Sequence, residues 1–206
     1  MSTISIVGAG TMATAIAGRI ARAGHAVEVI NRDPVKARAL ADKLGSGATT
    51  GMYGTAPAGE IVILAVPYSS VAAVAADFGG ALDGKVIIDI ANPVAPDLSG
   101  LVTPHGSSGA QETARTLPAG AHVVKAFNTI FGHVLAKGGR LDAFIAADDA
   151  EAKARVSTLL ESLGLRPFDV GGLQMAQTLE ALGLMMIGLA KNGASTWDFA
   201  MNVDIG

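Results

Sequence analysis

The chain has 206 residues, half of them hydrophobic and 16% charged, with a formal net charge of −3. That suffices for one domain, or one domain with a small appendage, and no basic run of the kind nucleic acid attracts is present. Cysteine is missing, which excludes disulfides, thiolate nucleophiles and cysteine-ligated zinc and fits a cytoplasmic setting. The N-terminus runs directly into a β-branched segment without a basic n-region, so no signal peptide is expected. The longest uncharged apolar run near the C-terminus, Ala181 to Ala190, is shorter than the ~20 residues a bilayer span requires.

Ile4 to Val7 predicts a strand ending at Gly8. Met12, Ile16 and Ile20 recur at helical spacing up to Gly24. Val27 to Ile30 predicts a second strand, and Asn31-Arg32-Asp33-Pro34 turns into a second helix that carries Leu40 and Leu44 and stops at Gly45. Asp33 directly before Pro34 has the form of an N-cap followed by proline at the first helical position. Ile61 to Val66 is a continuously apolar strand of the kind buried on both faces. A helix over Ser69 to Phe78 and a strand over Val86 to Ile90 follow. After a loop with Pro93, Pro96 and Pro104 come a short helix (Gln111 to Leu117), strands at Val123 to Phe127 and Phe144 to Ala146, a helix over Ala150 to Leu163, and a strand at Phe168 to Val170. The alternation predicts an α/β fold of Rossmann type: a doubly wound, mostly parallel sheet with helices on both faces. We divide the chain into a dinucleotide-binding domain, residues 1–170, and a C-terminal helical segment, residues 171–206. In the latter, Leu173 to Lys191 reads as one helix, apolar on more than one side, with Leu179, Leu182, Met186 and Leu189 spaced along it. Such a helix is expected to be buried, on its own domain or against a second subunit.

Gly8-Ala9-Gly10-Thr11-Met12-Ala13 reads GxGxxA between a predicted strand and a predicted helix. Gly8 permits the tight turn, Gly10 lets the backbone approach a pyrophosphate, and Ala13 lets the helix pack closely on the sheet. The helix N-terminus offers free N–H groups to the phosphates. NAD sites commonly place an acidic residue at the end of the second strand, where this chain has Asn31 and Arg32. Neither repels a 2′-phosphate, Arg32 can pair with one bidentately, and Lys36 is near enough to assist. The dinucleotide expected is therefore NADP(H). His105 and His122 lack paired metal-ligand spacing, His25 reads as a loop residue, and no metal site is expected.

GAGTMA (8–13), INRDP (30–34), ILAVP (63–67), DIANP (89–93) and VKAFNTI (124–130) occur in that order. Together they resemble the coenzyme F420-dependent NADP oxidoreductases and their relatives, over residues 1 to about 170. GxGxxA is shared with many dehydrogenases, whereas KAFNT is far more particular to this group. The resemblance implies NADP(H) at the glycine turn, with Asn31 and Arg32 at the 2′-phosphate and Ala65, Val66 and Pro67 along the cofactor. Ala91, Asn92 and Pro93, with Phe127 and Asn128, would border the nicotinamide and second-substrate region. It also implies a deazaflavin stacked on the nicotinamide in a cleft closed by the C-terminal segment, and commonly a dimer. VKAFNTI is shared as well with the reductase part of membrane ferric reductases, which use NADPH and a flavin, so the motif identifies the superfamily better than the second substrate.

No acid–base or nucleophilic machinery stands out, so no catalytic residue is assigned; hydride exchange between two held cofactors asks mainly for positioning. Lys125 reads as structural and His133 as a surface residue. Second-substrate contacts are expected from Asn92, Phe127, Asn128 and Thr129, because Asn and Thr side chains can hydrogen-bond a pyrimidine-like edge. The competing reading is that the asparagines cap turns. Three functions fit these residues: hydride transfer between NADP(H) and coenzyme F420, NADPH-dependent reduction of a flavin or a small organic substrate, and dinucleotide sensing without turnover. The expected partners are small-molecule cofactors and a second copy of the chain, not nucleic acid or a membrane.

Overall fold

Six parallel strands form the centre of the computed structural model, which describes residues 2–45, 47–194 and 196–204. They are β1 (Thr3–Val7), β2 (Ala26–Ile30), β3 (Ala48–Gly51), β4 (Ile61–Leu64), β5 (Val86–Asp89) and β6 (His122–Lys125). Their order across the sheet is β3-β2-β1-β4-β5-β6, that of a doubly wound dinucleotide fold, with the strand order reversing beside β1. β1 is flanked in parallel register on both sides, Ile4 facing Val27 and Ile61. A second, two-stranded parallel sheet joins β7 (Leu141–Ile145) to β8 (Leu165–Asp169). An antiparallel bridge between Lys125 and Ala146 hooks it to the edge of β6.

Helices α1 (Thr11–Arg22), α2 (Pro34–Leu44), α5 (Gly132–Lys137) and α6 (Ala150–Ser162) contribute to one buried core, and α3 (Tyr68–Phe78), α4 (Gly109–Thr116) and α7 (Ala176–Asn192) to a second. The two-residue repeat of the strands decides what each face receives. In β4, Ile61 and Ile63 join the core built on α1, α2 and α6, while Val62 and Leu64 join the one built on α3, α4 and the start of α7. Arg19 on α1 is buried, and its guanidinium donates to the carbonyls of Leu135 (2.8 Å), Leu163 (3.0 Å) and Gly139 (3.1 Å). It thereby ties α1 to carbonyls at the C-terminal ends of α5 and α6, where helix carbonyls run out of intrahelical partners.

Two elements escape the sequence pattern. β3 is Ala-Thr-Thr-Gly, an edge strand without an apolar alternation, and it exists because β2 offers it a partner from Val27 to Ile30. α5 is six residues and opens on glycine, too short for a periodic signal. The expected strands at Phe144–Ala146 and Phe168–Val170 are longer and begin earlier than their most apolar residues indicate. The single helix expected from Leu173 to Lys191 is a 3-10 turn at Leu173–Met175 followed by α7.

Leu173–Asn192 is 20 residues and contains an 18-residue window with a mean hydropathy of 1.3, long and apolar enough by those measures to cross a membrane. Its middle is nevertheless fastened to the domain by a charge. Glu180, fully buried, accepts from Lys125 Nζ at 2.9 Å and from the backbone N–H groups of Gly109 (3.0 Å) and Ala110 (3.2 Å) at the start of α4. Residues 196–204 then turn back over the domain. Trp197 and Phe199 pack edge-on against Phe131, at 5.3 and 5.5 Å between ring centres. Val203 donates its N–H to Asp142 at 2.6 Å.

Candidate functional site

The turn after β1 is shaped by backbone contact rather than by side chains. Gly8 has φ 129°, and a β-carbon there would lie 2.2 Å from the carbonyl oxygen of Ala65, so no other residue fits. Gly10 differs: a β-carbon on it would meet nothing within 4 Å, and it opens on the free space in front of α1. Gly10 is also the N-cap of α1, and no side chain satisfies the helix N-terminus. By contrast, Asp33, Ser108 and Asp149 cap α2, α4 and α6. The unclaimed N–H groups of α1 therefore face a cavity, the arrangement that receives an anion.

That cavity, of about 440 Å³, runs along the C-terminal ends of β2, β1 and β4 and brings together Gly8, Gly10, Asn31, Arg32, Lys36, Ala65, Val66 and Pro67. No carboxylate is among its described lining residues. Asp33, adjacent in sequence, is turned to α2 and accepts from Val35 N at 2.9 Å, as its place before proline predicts. Asn31 Oδ1 accepts from Asp33 N at 2.9 Å, which leaves the Asn31 amide N–H₂ and the exposed Arg32 and Lys36 for a phosphate. Tyr53, Ser70 and Val74 also line this cleft and escaped the sequence reading. Tyr53 follows the unpredicted β3. Its hydroxyl donates to Asp77 at 2.8 Å, and burial, with Asp77 second, pushes the phenol up to about 12, so it stays a neutral donor. The uncapped helix, the open face of Gly10 and the exposed Arg32 and Lys36 fit a 2′-phosphorylated dinucleotide.

A second, smaller cavity of about 210 Å³ lies at the ends of β5 and β6, beneath α7. Met12, Asn92, Phe127, Asn128 and Thr129 line it together with Gly183 and Met186 of α7. Phe127 has φ 61° and is fully buried; a left-handed conformation at such a residue costs about 1–3 kcal/mol and here bends the chain from β6 toward the cavity. Asn92 and Asn128 grip each other. Asn92 Nδ2 donates to the Asn128 carbonyl at 2.8 Å, and Asn128 Nδ2 donates to Asn92 Oδ1 at 2.9 Å and to the Leu179 carbonyl at 2.8 Å. Gly183 lets α7 come this close, since a β-carbon there would sit 2.7 Å from Asn92 Nδ2. Among the described residues, Asn128 Oδ1 and Thr129 Oγ1 are the buried side-chain atoms left without a hydrogen-bond partner.

Lys125 stands behind this pocket. It is fully buried, with Nζ 3.0 Å from Asp89 Oδ1 and 2.9 Å from Glu180 Oε1, and it also donates to the Ala91 carbonyl. The structural role expected for it is realised as an ionic link between β5, β6 and α7. Six expected cofactor contacts do not line the larger cleft: Met12 and Asn92 line the smaller one, and Thr11, Ala13, Ala91 and Pro93 line neither. Ala13, Ala91 and Pro93 are interior, Ala13 because it packs in the core beneath α1. Thr11 faces a separate groove between α1 and α5. Asn92 presents less free polar surface than expected, since both ends of its amide are held by Asn128.

The family model for coenzyme F420-dependent NADP oxidoreductases matches residues 3–93. An F420-dependent NADP reductase from Methanothermobacter marburgensis is 32% identical over 201 residues, covering 88% of this chain and 89% of the relative. The metalloreductase STEAP3 of Rattus norvegicus is 31% identical over 190 residues, 89% of this chain; the chain spans 37% of that protein's length. Among solved structures, a protein from Arthrobacter sp. FB24 described as an F420-dependent NADP reductase superimposes over the whole of both chains with a TM-score of 0.87 at 28% identity.

Proposed function

The chain belongs to the coenzyme F420-dependent NADP oxidoreductase family, and from that premise we propose that it transfers a hydride between NADP(H) and coenzyme F420. One observation carries the NADP(H) half: an uncapped α1 and a β-carbon-free approach at Gly10 share a cleft with Arg32 and Lys36 and with no carboxylate among its described lining. Asn31, Arg32 and Lys36 hold the 2′-phosphate, the α1 N-terminus holds the pyrophosphate, and Ala65, Val66 and Pro67 flank the chain of the cofactor toward β5. When bound, the nicotinamide carries the hydride. The protein's part is to place the two rings and to exclude water around them. Asn92, Phe127, Asn128 and Thr129 border the place where the nicotinamide and the second ring meet, and α7 lies over them.

A flavin is the second reading for the acceptor. The likeness to a metalloreductase supports it, and the two readings share every residue of the NADP(H) cleft. We further propose a cytoplasmic homodimer joined through the outer face of α7 and the segment after it, where Met185, Leu189 and Trp197 are 47%, 41% and 45% exposed. Light scattering that shows a monomer at micromolar concentration removes the dimer. Following NADPH oxidation by absorbance with F420, FMN and small imine or carbonyl acceptors tests the main reading: rapid oxidation by F420 is expected, oxidation by FMN alone favours the flavin, and none with any acceptor leaves a sensor.

A further inference from the structure

Asn128 Oδ1 and Thr129 Oγ1 are both buried, their residues 7% and 3% exposed, and both border the 210 Å³ cavity. An unpaired polar atom in such a place costs free energy that a ligand can recover. The orientation of the Asn128 amide is settled by its neighbours: Nδ2 gives one proton to Asn92 Oδ1 and the other to the Leu179 carbonyl. A flipped amide would aim its oxygen at two acceptors. Asn128 Oδ1 is therefore a fixed acceptor that demands a donor. Thr129 contributes a hydroxyl that donates or accepts. Size narrows the ligand: pockets for whole drug-sized molecules are ~300–1,000 Å³, and this cavity suits a single ring with a short substituent better than three fused rings. It also touches Met12, in the first turn of α1, just past the glycine turn that receives the phosphates.

We propose that Asn128 and Thr129 form a site for the nicotinamide carboxamide, with its N–H donating to Asn128 Oδ1 and its carbonyl accepting from Thr129 Oγ. This rests on the NADP(H) reading and sharpens it: the pair reads the cofactor, and the hydride acceptor lies outside the cavity. Binding measurements test it without turnover. Fluorescence or calorimetric titrations compare NADP⁺, its 3-acetylpyridine analogue, which keeps the carbonyl and lacks the N–H, and adenosine 2′,5′-bisphosphate, which lacks the nicotinamide. The wild type is expected to bind NADP⁺ roughly tenfold more tightly than the analogue, the effect of leaving one buried acceptor unpaired. Thr129→Val is expected to weaken NADP⁺ and the analogue alike, again by roughly tenfold, and to leave the bisphosphate unchanged. Equal affinity of the wild type for NADP⁺ and the analogue overturns the carboxamide site, and that comparison needs no variant to fold. So does a Thr129→Val protein that binds NADP⁺ normally and raises only the KM for the acceptor. In both cases retained bisphosphate binding leaves the NADP(H) cleft standing, whereas loss of bisphosphate binding in the wild type sinks the cleft and the carboxamide site together.

Discussion

The two cavities at the C-terminal edge of the sheet are built on opposite principles. The larger one is made by short runs of neighbouring residues: the glycine turn, the end of β2 with the first turn of α2, and the stretch after β4. No side chain among the described residues caps the α1 N–H groups there, and Arg32 and Lys36 are exposed. The smaller one is made by residues far apart in sequence, and its asparagine side chains are largely spent on one another, with Asn128 Oδ1 and Thr129 Oγ1 left over among the described residues. Asn92 and Asn128 are 36 positions apart, and Lys125 and Glu180 are 55. In the first region function and stability are separable; in the second they are joined through α7.

The contrast is broken most directly at the two glycines. Gly10→Val should leave the melting temperature near that of the wild type, since nothing occupies the space in front of it. It should weaken NADPH by roughly a hundredfold or more, because the side chain fills the pyrophosphate position. Gly8→Ala should do the reverse, lowering thermal stability through its collision with the Ala65 carbonyl. A Gly10→Val protein with normal NADPH affinity in a fluorescence titration would end the assignment of the larger cleft.

Lys125→Met probes the second region. It leaves Asp89 and Glu180 buried without their cation, a change that costs about 3–5 kcal/mol, so a large drop in denaturant midpoint is expected. Restoring part of it with Glu180→Gln in the same chain would show that the loss came from the unpaired carboxylates. A midpoint unchanged by Lys125→Met would refute the link.

Arg32→Ala sharpens the picture of the larger cleft: NADPH should weaken roughly ten- to hundredfold and NADH hardly at all, the worth of a charge-assisted hydrogen bond. Equal weakening of both cofactors would mean that Arg32 does not read the 2′-phosphate.

The smallest effect expected is in acid, at the segment over α5. Hydrogen bonds from Arg166, with a further one from Val203 N–H, hold the Asp142 carboxyl below its ordinary 3.8, against the opposing effect of burial. Because the folded value is the lower one, these bonds stabilise fully above the unfolded value. Their contribution fades as the pH falls through the folded one. Asp198, held low by Lys137, behaves in the same sense. Below about pH 4 residues 196–204 should loosen, and the fluorescence of Trp197, the one tryptophan of the chain, should shift red before global unfolding. A shift that coincides with global unfolding would place the segment in the same cooperative unit as the sheet.

What the sequence by itself determined was what depends on neighbours along the chain. GxGxxA between a strand and a helix, Arg32 at the end of β2, Asp33 as a cap and the run of βα units are local patterns, and each is found where those patterns place it. KAFNT pointed to the right end of β6 but not to its chemistry. Asn128 and Asn92 looked available as ligands for a second substrate; most of their amide atoms hold each other and α7, and Asn128 Oδ1 is left without a partner. Only the tertiary structure decided which polar atoms remain free, because a hydrogen bond between residues 36 or 55 positions apart leaves no periodic trace. The role of Gly183, the left-handed turn at Phe127 and the enclosure of Lys125 by two carboxylates were decided in the same way, by which elements come to lie against one another when the sheet closes under α7.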